Sequence, residues 1–174
     1  MGIQFETDYN METLTAMAKG LRKTVRKKRS RRVHIFAAVV LILGLLTILA
    51  TTAGGEPLGA SGVVTLLAML VVILVSLFED KLNAWFARKR LLPGTEHAVA
   101  TFEEDGYVSA TGVTESRFSY AQIVAVAETA RYFVFALSSH HTQAYDKRTI
   151  RGGSVEDFRA FIAEKTGKPV EKIK

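Results

Sequence analysis

The chain opens on strict alternation. Ile3, Phe5 and Thr7 alternate with Gln4, Glu6 and Asp8, a period of two that predicts a short strand with one apolar face. The period then changes. Met11, Leu14, Ala18, Leu21 and Val25 recur at steps of three and four, which puts them along one side of a helix. Asn10 is its expected N-cap, and Glu12 suits the first turn. Gly20 weakens this helix by about 1 kcal/mol relative to Ala, yet the pattern lets it run straight into the segment that follows. The seam covers about two heptads, short for a coiled coil. It is expected to pack on the protein's own domain or on a lipid surface, with pairing to a partner as the alternative.

Periodicity disappears in two apolar runs. Residues 33–53, "VHIFAAVVLILGLLTILATTA", carry His34 as their one ionisable group, and residues 59–78, "GASGVVTLLAMLVVILVSLF", carry none. About 20 apolar residues in a helix cross the ~30 Å hydrocarbon layer. Neither run has the polar face of a surface helix, and a chain of 174 residues is too small to surround both as core helices. Two transmembrane helices are therefore expected. The "GGEP" connector is short enough to make them an antiparallel hairpin. A cleaved signal peptide fits the first run poorly, because both the leader and the apolar stretch are too long. Thr47, Thr65 and Ser76 are read as ordinary helix contacts, Gly44 as a point of close helix approach, and His34 as an interfacial imidazole.

Alternation returns beyond the second run. After "EDKLNAWFARKRLLPG", where Pro93 and Gly94 stop a helix, strands are expected over 97–102 and 107–111, joined at Asp105-Gly106. Further strands are expected in "ESRFSY", over 123–127, and as a hairpin of 131–139 with 142–146. A last helix is predicted from the Ser154 N-cap with Asp157 as its capping-box acid, ending at Gly167, with Val155, Phe158, Phe161 and Ile162 as its apolar stripe.

Charge orients this plan. The formal net charge is +6, but the excess is confined to nine cations between residues 19 and 32: Lys19, Arg22, Lys23, Arg26, Lys27, Lys28, Arg29, Arg31 and Arg32. The rest of the chain has fewer cations than its 17 acids. Lys81, Arg88, Lys89 and Arg90 follow the second run, and the connector has no cation. The positive-inside rule puts both flanks in the cytoplasm. Trp85 and Phe86 beside Lys81 and Arg88 to Arg90 read as an interfacial belt. Those basic residues and Trp85 are the expected membrane-surface anchors.

Candidate chemistry is sparse. There is no cysteine, which removes disulfides and Cys-based metal sites, and there is no phosphate-binding or dinucleotide fingerprint. His140 and His141 are adjacent and would point to opposite faces of a strand. Ser138, Ser139 and Asp146 near them resemble a triad only as a list, since a short hairpin supplies no nucleophile elbow. Glu103, Glu104 and Asp105 read as a solvated turn. Lys147, Arg148 and Arg151, beside Gly152-Gly153, are a possible anion or partner contact.

One resemblance covers most of the chain. Phe118, Tyr120 and Ile123, Glu128-Thr129 before the aromatic stretch Tyr132 to Phe135, and Lys147-Arg148 before the last helix resemble the YcxB-like bacterial membrane proteins. Asp146 stands where such proteins commonly show proline. The resemblance implies an N-terminal strand and helix, a transmembrane hairpin, and a cytoplasmic domain similar to a pleckstrin-homology (PH) fold. That domain would have roughly seven strands in a bent sheet or half-barrel, with a C-terminal helix as cap and the N-terminal strand as a possible member; no catalytic residues come with it.

The expected organisation is thus an N-terminal strand and basic amphipathic helix over 1–32, a transmembrane hairpin over 33–80, an interfacial linker over 81–93 and an α+β, PH-like cytoplasmic domain over 94–174. The expected function is that of a non-enzymatic, multi-pass bacterial inner-membrane protein. It would present its domain to anionic lipid headgroups or a protein partner, without a cofactor or metal. The alternatives are a nucleic-acid binder using residues 19–32, disfavoured because the domain adds no basic surplus or stacking platform, and an enzyme with an unrecognised site.

Overall fold

The computed structural model describes residues 2–55 and 57–173. They form two compact units: the chain up to residue 27 together with residues from 83 onward, and residues 28–82 between them.

The inserted unit is the apolar pair. Helix α2 spans Lys27–Ala53 and α3 spans Ala60–Leu77. Both are long and apolar enough to cross a membrane. No residue of either is buried, so leucines, isoleucines and valines point outward on every side, unlike a core helix. Gly44 is a contact point: a Cβ there would lie 2.8 Å from the Met69 sulfur. Residues 44 and 69 each lie about two and a half turns from the connector, as an antiparallel pair requires.

The other unit is built on two sheets. Strands β1 (Ile3–Asp8), β2 (His97–Phe102), β3 (Tyr107–Thr111) and β4 (Glu115–Phe118) form the first, in that order. The second has β5 (Ala125–Glu128), β6 (Tyr132–Ala136), β7 (Thr142–Asp146) and β8 (Val170–Lys172) in the order β7-β6-β5-β8. β1 pairs antiparallel with β2 along its whole length, from Ile3 opposite Phe102 to Asp8 opposite His97. The N-terminal strand therefore joins the sheet, and the first 27 residues belong to the same compact unit as the C-terminal region. The sequence did not announce β8, which lies parallel to β5 and brings the strands among the described residues to eight.

Helix α1 spans Met11–Lys23, with the Asn10 carboxamide oxygen accepting the Glu12 and Thr13 N–H groups at 2.9 and 3.1 Å. It does not run on into α2. The backbone leaves the helical region at Thr24, whose hydroxyl donates to the Gly20 carbonyl at 2.8 Å, and Arg26 N–H folds back to the Leu21 carbonyl. A threonine competing for the last carbonyls in this way ends the regular ladder. The buried face of α1 is Thr13, Leu14, Ala16, Gly20 and Leu21. A Cβ at Gly20 would lie 2.7 Å from a Val134 methyl, so this glycine lets α1 close on β6.

Aromatic rings fill the space between the sheets. Phe5, Phe102, Tyr107, Phe133, Phe135 and Tyr145 are buried around Phe158 of the last helix, α5 (Val155–Thr166). Phe158 lies 4.6 Å from Phe5 and 4.8 Å from Phe102, both edge to face. The expected stripe is in place: Phe158 and Ile162 are buried, and Val155 and Phe161 pack at the margin. Ser154 and Asp157 form the reciprocal cap, and Gly167 closes the helix at φ 63°. The phenol hydroxyls of Tyr107 and Tyr145 both donate to the Gln143 side-chain oxygen at 2.7 Å, which satisfies polar atoms inside an apolar core.

Candidate functional site

The nine cations of 19–32 are divided among three local settings. Lys19, Arg22 and Lys23 lie on the last turns of α1, where positive charge suits the helix dipole. Arg26 lies in the break, and its Nε donates to the Ser139 carbonyl at 2.6 Å. Lys27, Lys28, Arg29, Arg31 and Arg32 occupy the start of α2, which has no acid in its first turn, and all five are exposed. A helix N-terminus already carries partial positive charge, so stacking cations there is locally unfavourable. An anionic surface would relieve it.

Helix α4, Glu79–Lys89, holds the second group. Its one buried residue is Ala84. Trp85 and Phe86 are exposed and meet edge to face at 4.9 Å, and Lys89 Nζ lies 3.6 Å from the centre of the indole. Arg88 and Arg90 are exposed beside them. A tryptophan with one face under an ammonium and its edge open has both an apolar body and a polar rim.

Lys147, Arg148 and Arg151 each have a carboxylate partner within the sheet unit. Lys147 Nζ reaches Glu128 at 2.9 Å and the Thr129 carbonyl at 2.8 Å. Arg159 binds the same carboxylate with two parallel bonds of 2.7 and 2.8 Å. Glu128 is buried, and its pKa is held down to about 2, first by the Arg159 bonds, against desolvation, and then by Lys147. Arg148 closes on Asp146 through its backbone N–H, Nε and a terminal nitrogen. Arg131 takes the other side of Asp146 at 2.8 and 2.9 Å and also pairs with Glu12. Arg151 pairs with Glu6 at 3.1 Å and is two-thirds exposed. The three residues therefore tie the loop before α5 to β1, β5 and β7. Asp146 uses what proline lacks: its N–H donates to the Thr7 hydroxyl at 3.1 Å, and its side chain caps the turn at 147–149.

The other polar candidates remain apart. Ser139 and His140 touch at 2.7 Å on an exposed turn, where the Ser138 hydroxyl oxygen accepts the N–H groups of His140 and His141. Asp146 is at the far end of β7, held by its two arginines. In the Glu103–Asp105 turn, Glu104 pairs with Lys165 at 2.6 Å, and the Tyr120 hydroxyl spans the turn to the carbonyls of Glu103 and Gly106. No group of three metal-ligating side chains occurs among the described residues. One concavity is not foreshadowed by any sequence motif. It is a cleft of about 360 Å³ lined in part by Tyr9, Leu14, Met17, Leu91, Phe118 and His141. Its walls come from four separate stretches of chain, 9–17, 87–95, 109–118 and 141–143, none of which looks special alone.

Two apolar helices and a two-sheet domain with a C-terminal helix are compatible with a membrane protein carrying a folded α+β domain. Residues 102–162 match the family model described as YcxB-like protein, in agreement with the resemblance carried by Phe118 through Arg148. The matched segment begins at the last residue of β2 and ends within α5, so it takes in most of the two-sheet core. No curated protein and no solved structure matches the chain.

Proposed function

We propose that this protein is a non-enzymatic, membrane-anchored presentation module. Its apolar hairpin spans the bacterial inner membrane, and its sheet domain, PH-like in plan, stands at the cytoplasmic face to contact lipid headgroups or a protein partner. One observation carries the reading. The strands on either side of the hairpin, β1 and β2, are neighbours in one sheet, while the hairpin between them buries none of its apolar side chains. A chain that leaves a sheet, crosses a membrane and rejoins that sheet must cross an even number of times. The cations at both membrane-proximal flanks agree with a cytoplasmic side, and each near an anionic leaflet contributes about 1 kcal/mol. Two sheets closed by a C-terminal helix support the PH-like plan.

The lack of cysteine makes the test direct. A Gly59→Cys variant puts a thiol in the connector, where a side chain meets open space, and Glu164→Cys puts one on the exposed face of α5. In intact spheroplasts an impermeant maleimide should label position 59 and spare position 164 until the membrane is opened. Labelling of position 164 in intact spheroplasts, or release of the protein by alkaline carbonate, would overturn the proposal.

A further inference from the structure

Outside the two apolar runs, 33–53 and 59–78, and their connector, few large apolar side chains are exposed among the described residues, and they are not scattered. Leu82, Trp85 and Phe86 are on α4, Leu92 and Val113 lie in two turns just beyond it, and Val124 stands elsewhere. The α4 residues form a stripe. At 100° per residue, Leu82, Trp85, Phe86 and Lys89 fall within one arc, opposite buried Ala84. The helix thus turns its second apolar face away from its own domain. A surface helix ordinarily has polar residues there.

The two turns extend this surface. Leu92 is 69 % exposed and Val113 64 % exposed, although they come from different parts of the chain. Gly112 N–H donates to the Gly94 carbonyl at 3.0 Å, and a Cβ on Gly94 would meet a Val113 methyl at 2.7 Å. The turn at 92–95 is itself closed by Thr95, whose N–H and hydroxyl both donate to the Leu92 carbonyl. Val113 is at the tip of the β3–β4 hairpin, braced by the Thr111 hydroxyl, which accepts from Thr114 N–H. Hairpin tips favour Gly, Asn, Asp and Ser; this one holds out a valine.

We infer that Leu92 and Val113, with the outward stripe of α4, form a second membrane contact, through which the folded domain itself dips into the headgroup layer. The occupant is a lipid bilayer rather than a protein because the surface follows the second apolar run along the chain, Leu92 standing 14 residues beyond Phe78, and is flanked by cations. Exposed Arg88, Lys89 and Arg90 sit between the aromatic pair and the leucine, the mixture of apolar and cationic groups that suits an anionic interface. This inference rests on the membrane anchorage proposed above.

Full-length single-cysteine variants Leu46→Cys, Leu92→Cys, Val113→Cys and Val124→Cys, labelled with a nitrobenzoxadiazole dye, would be reconstituted in phosphatidylethanolamine–phosphatidylglycerol vesicles. Nitroxide-bearing lipid serves as quencher. Interfacial burial of 5–10 Å predicts loss of about half the emission at positions 92 and 113, with little loss at 124. Strong quenching at 46 with positions 92 and 113 no more quenched than 124 overturns this inference and leaves the anchorage standing. Absence of quenching at 46 overturns both.

Discussion

Glu128→Gln keeps the shape of a buried side chain and deletes its charge. In the folded protein the carboxylate accepts two bonds from Arg159 and one from Lys147. Its pKa of about 2 lies well below the ordinary 4.5, and at 1.36 kcal/mol per pH unit the difference corresponds to ~3 kcal/mol of stability at neutral pH. Both cations keep some access to water, Lys147 at 13 % and Arg159 at 27 % side-chain exposure, and screening lowers this toward roughly 2 kcal/mol. Stranding two cations pulls the other way, since breaking a buried pair costs about 3–5 kcal/mol. The expected loss is therefore about 2–4 kcal/mol. Because the folded pKa lies below the unfolded one, the contribution is complete above pH 4.5 and disappears as pH falls through about 2. Guanidinium unfolding of the detergent-solubilised protein, followed by near-ultraviolet circular dichroism of the aromatic core, measures the gap between wild type and variant. That gap should narrow below pH 4.5 and nearly close at pH 2, where wild-type Glu128 is itself about half protonated. A gap that stays constant from pH 7 to pH 2 would show that shape rather than charge is responsible and refute the reasoning.

Three further outcomes are open to measurement. Gly20→Ala brings a methyl to 2.7 Å from Val134, and overpacking of about 1–3 kcal/mol should outweigh the ~1 kcal/mol gained in helix propensity; adding Val134→Ala should return part of the loss in denaturant midpoint. Gly152 combines φ 82° with a position where a Cβ would collide with the Gly2 carbonyl oxygen, so Gly152→Ala should destabilise by more than the ~1 kcal/mol of a left-handed conformation alone. Faster amide exchange in β1 would report the damage. All five tyrosines have raised pKa values with burial as the leading cause, Tyr9 at about 12. Folded-state values above the unfolded 10 mean that stability is kept below pH 10 and lost as pH rises through the folded values. Absorbance at 295 nm should therefore stay flat near pH 10 and rise with unfolding.

Much of the fold was legible because local chemistry specified it. β2 and β3 were delimited to the residue by alternation and by Asp105-Gly106, and α5 by the Ser154 cap and Gly167. The two apolar runs were plain from composition. What was hidden depended on partners distant in the chain. β8 is three residues after a proline, and only its place beside β5 makes it a strand. The buried face of α1 is rotated from the expected seam because Thr13, Ala16 and Gly20 look unremarkable until Val134 and Tyr132 lie against them. Lys147, Arg148 and Arg151 read as a free basic loop because Glu128, Asp146 and Glu6 become neighbours only through the sheets. Leu92 and Val113 were passed over as loop residues, since exposure cannot be read from residue type.

The pairing of β1 with β2 also fixes an order of assembly. Ile3 and Phe5 leave the ribosome before the apolar helices, but their partners Phe102 and Ala100 are made only after both helices have been synthesised. Until then β1 has no sheet to join, and the core has a gap where Phe5 belongs. On the anchorage proposed above, the domain would complete itself only on chains whose second helix had returned to the starting side. A chain stalled after one crossing would keep β1 and β2 on opposite faces of the membrane, with Phe5 and Phe102 uncovered as a flag for proteolysis. The sheet would thereby act as a proofreader of insertion, and chains that passed would reach their working shape with the anchor already correct.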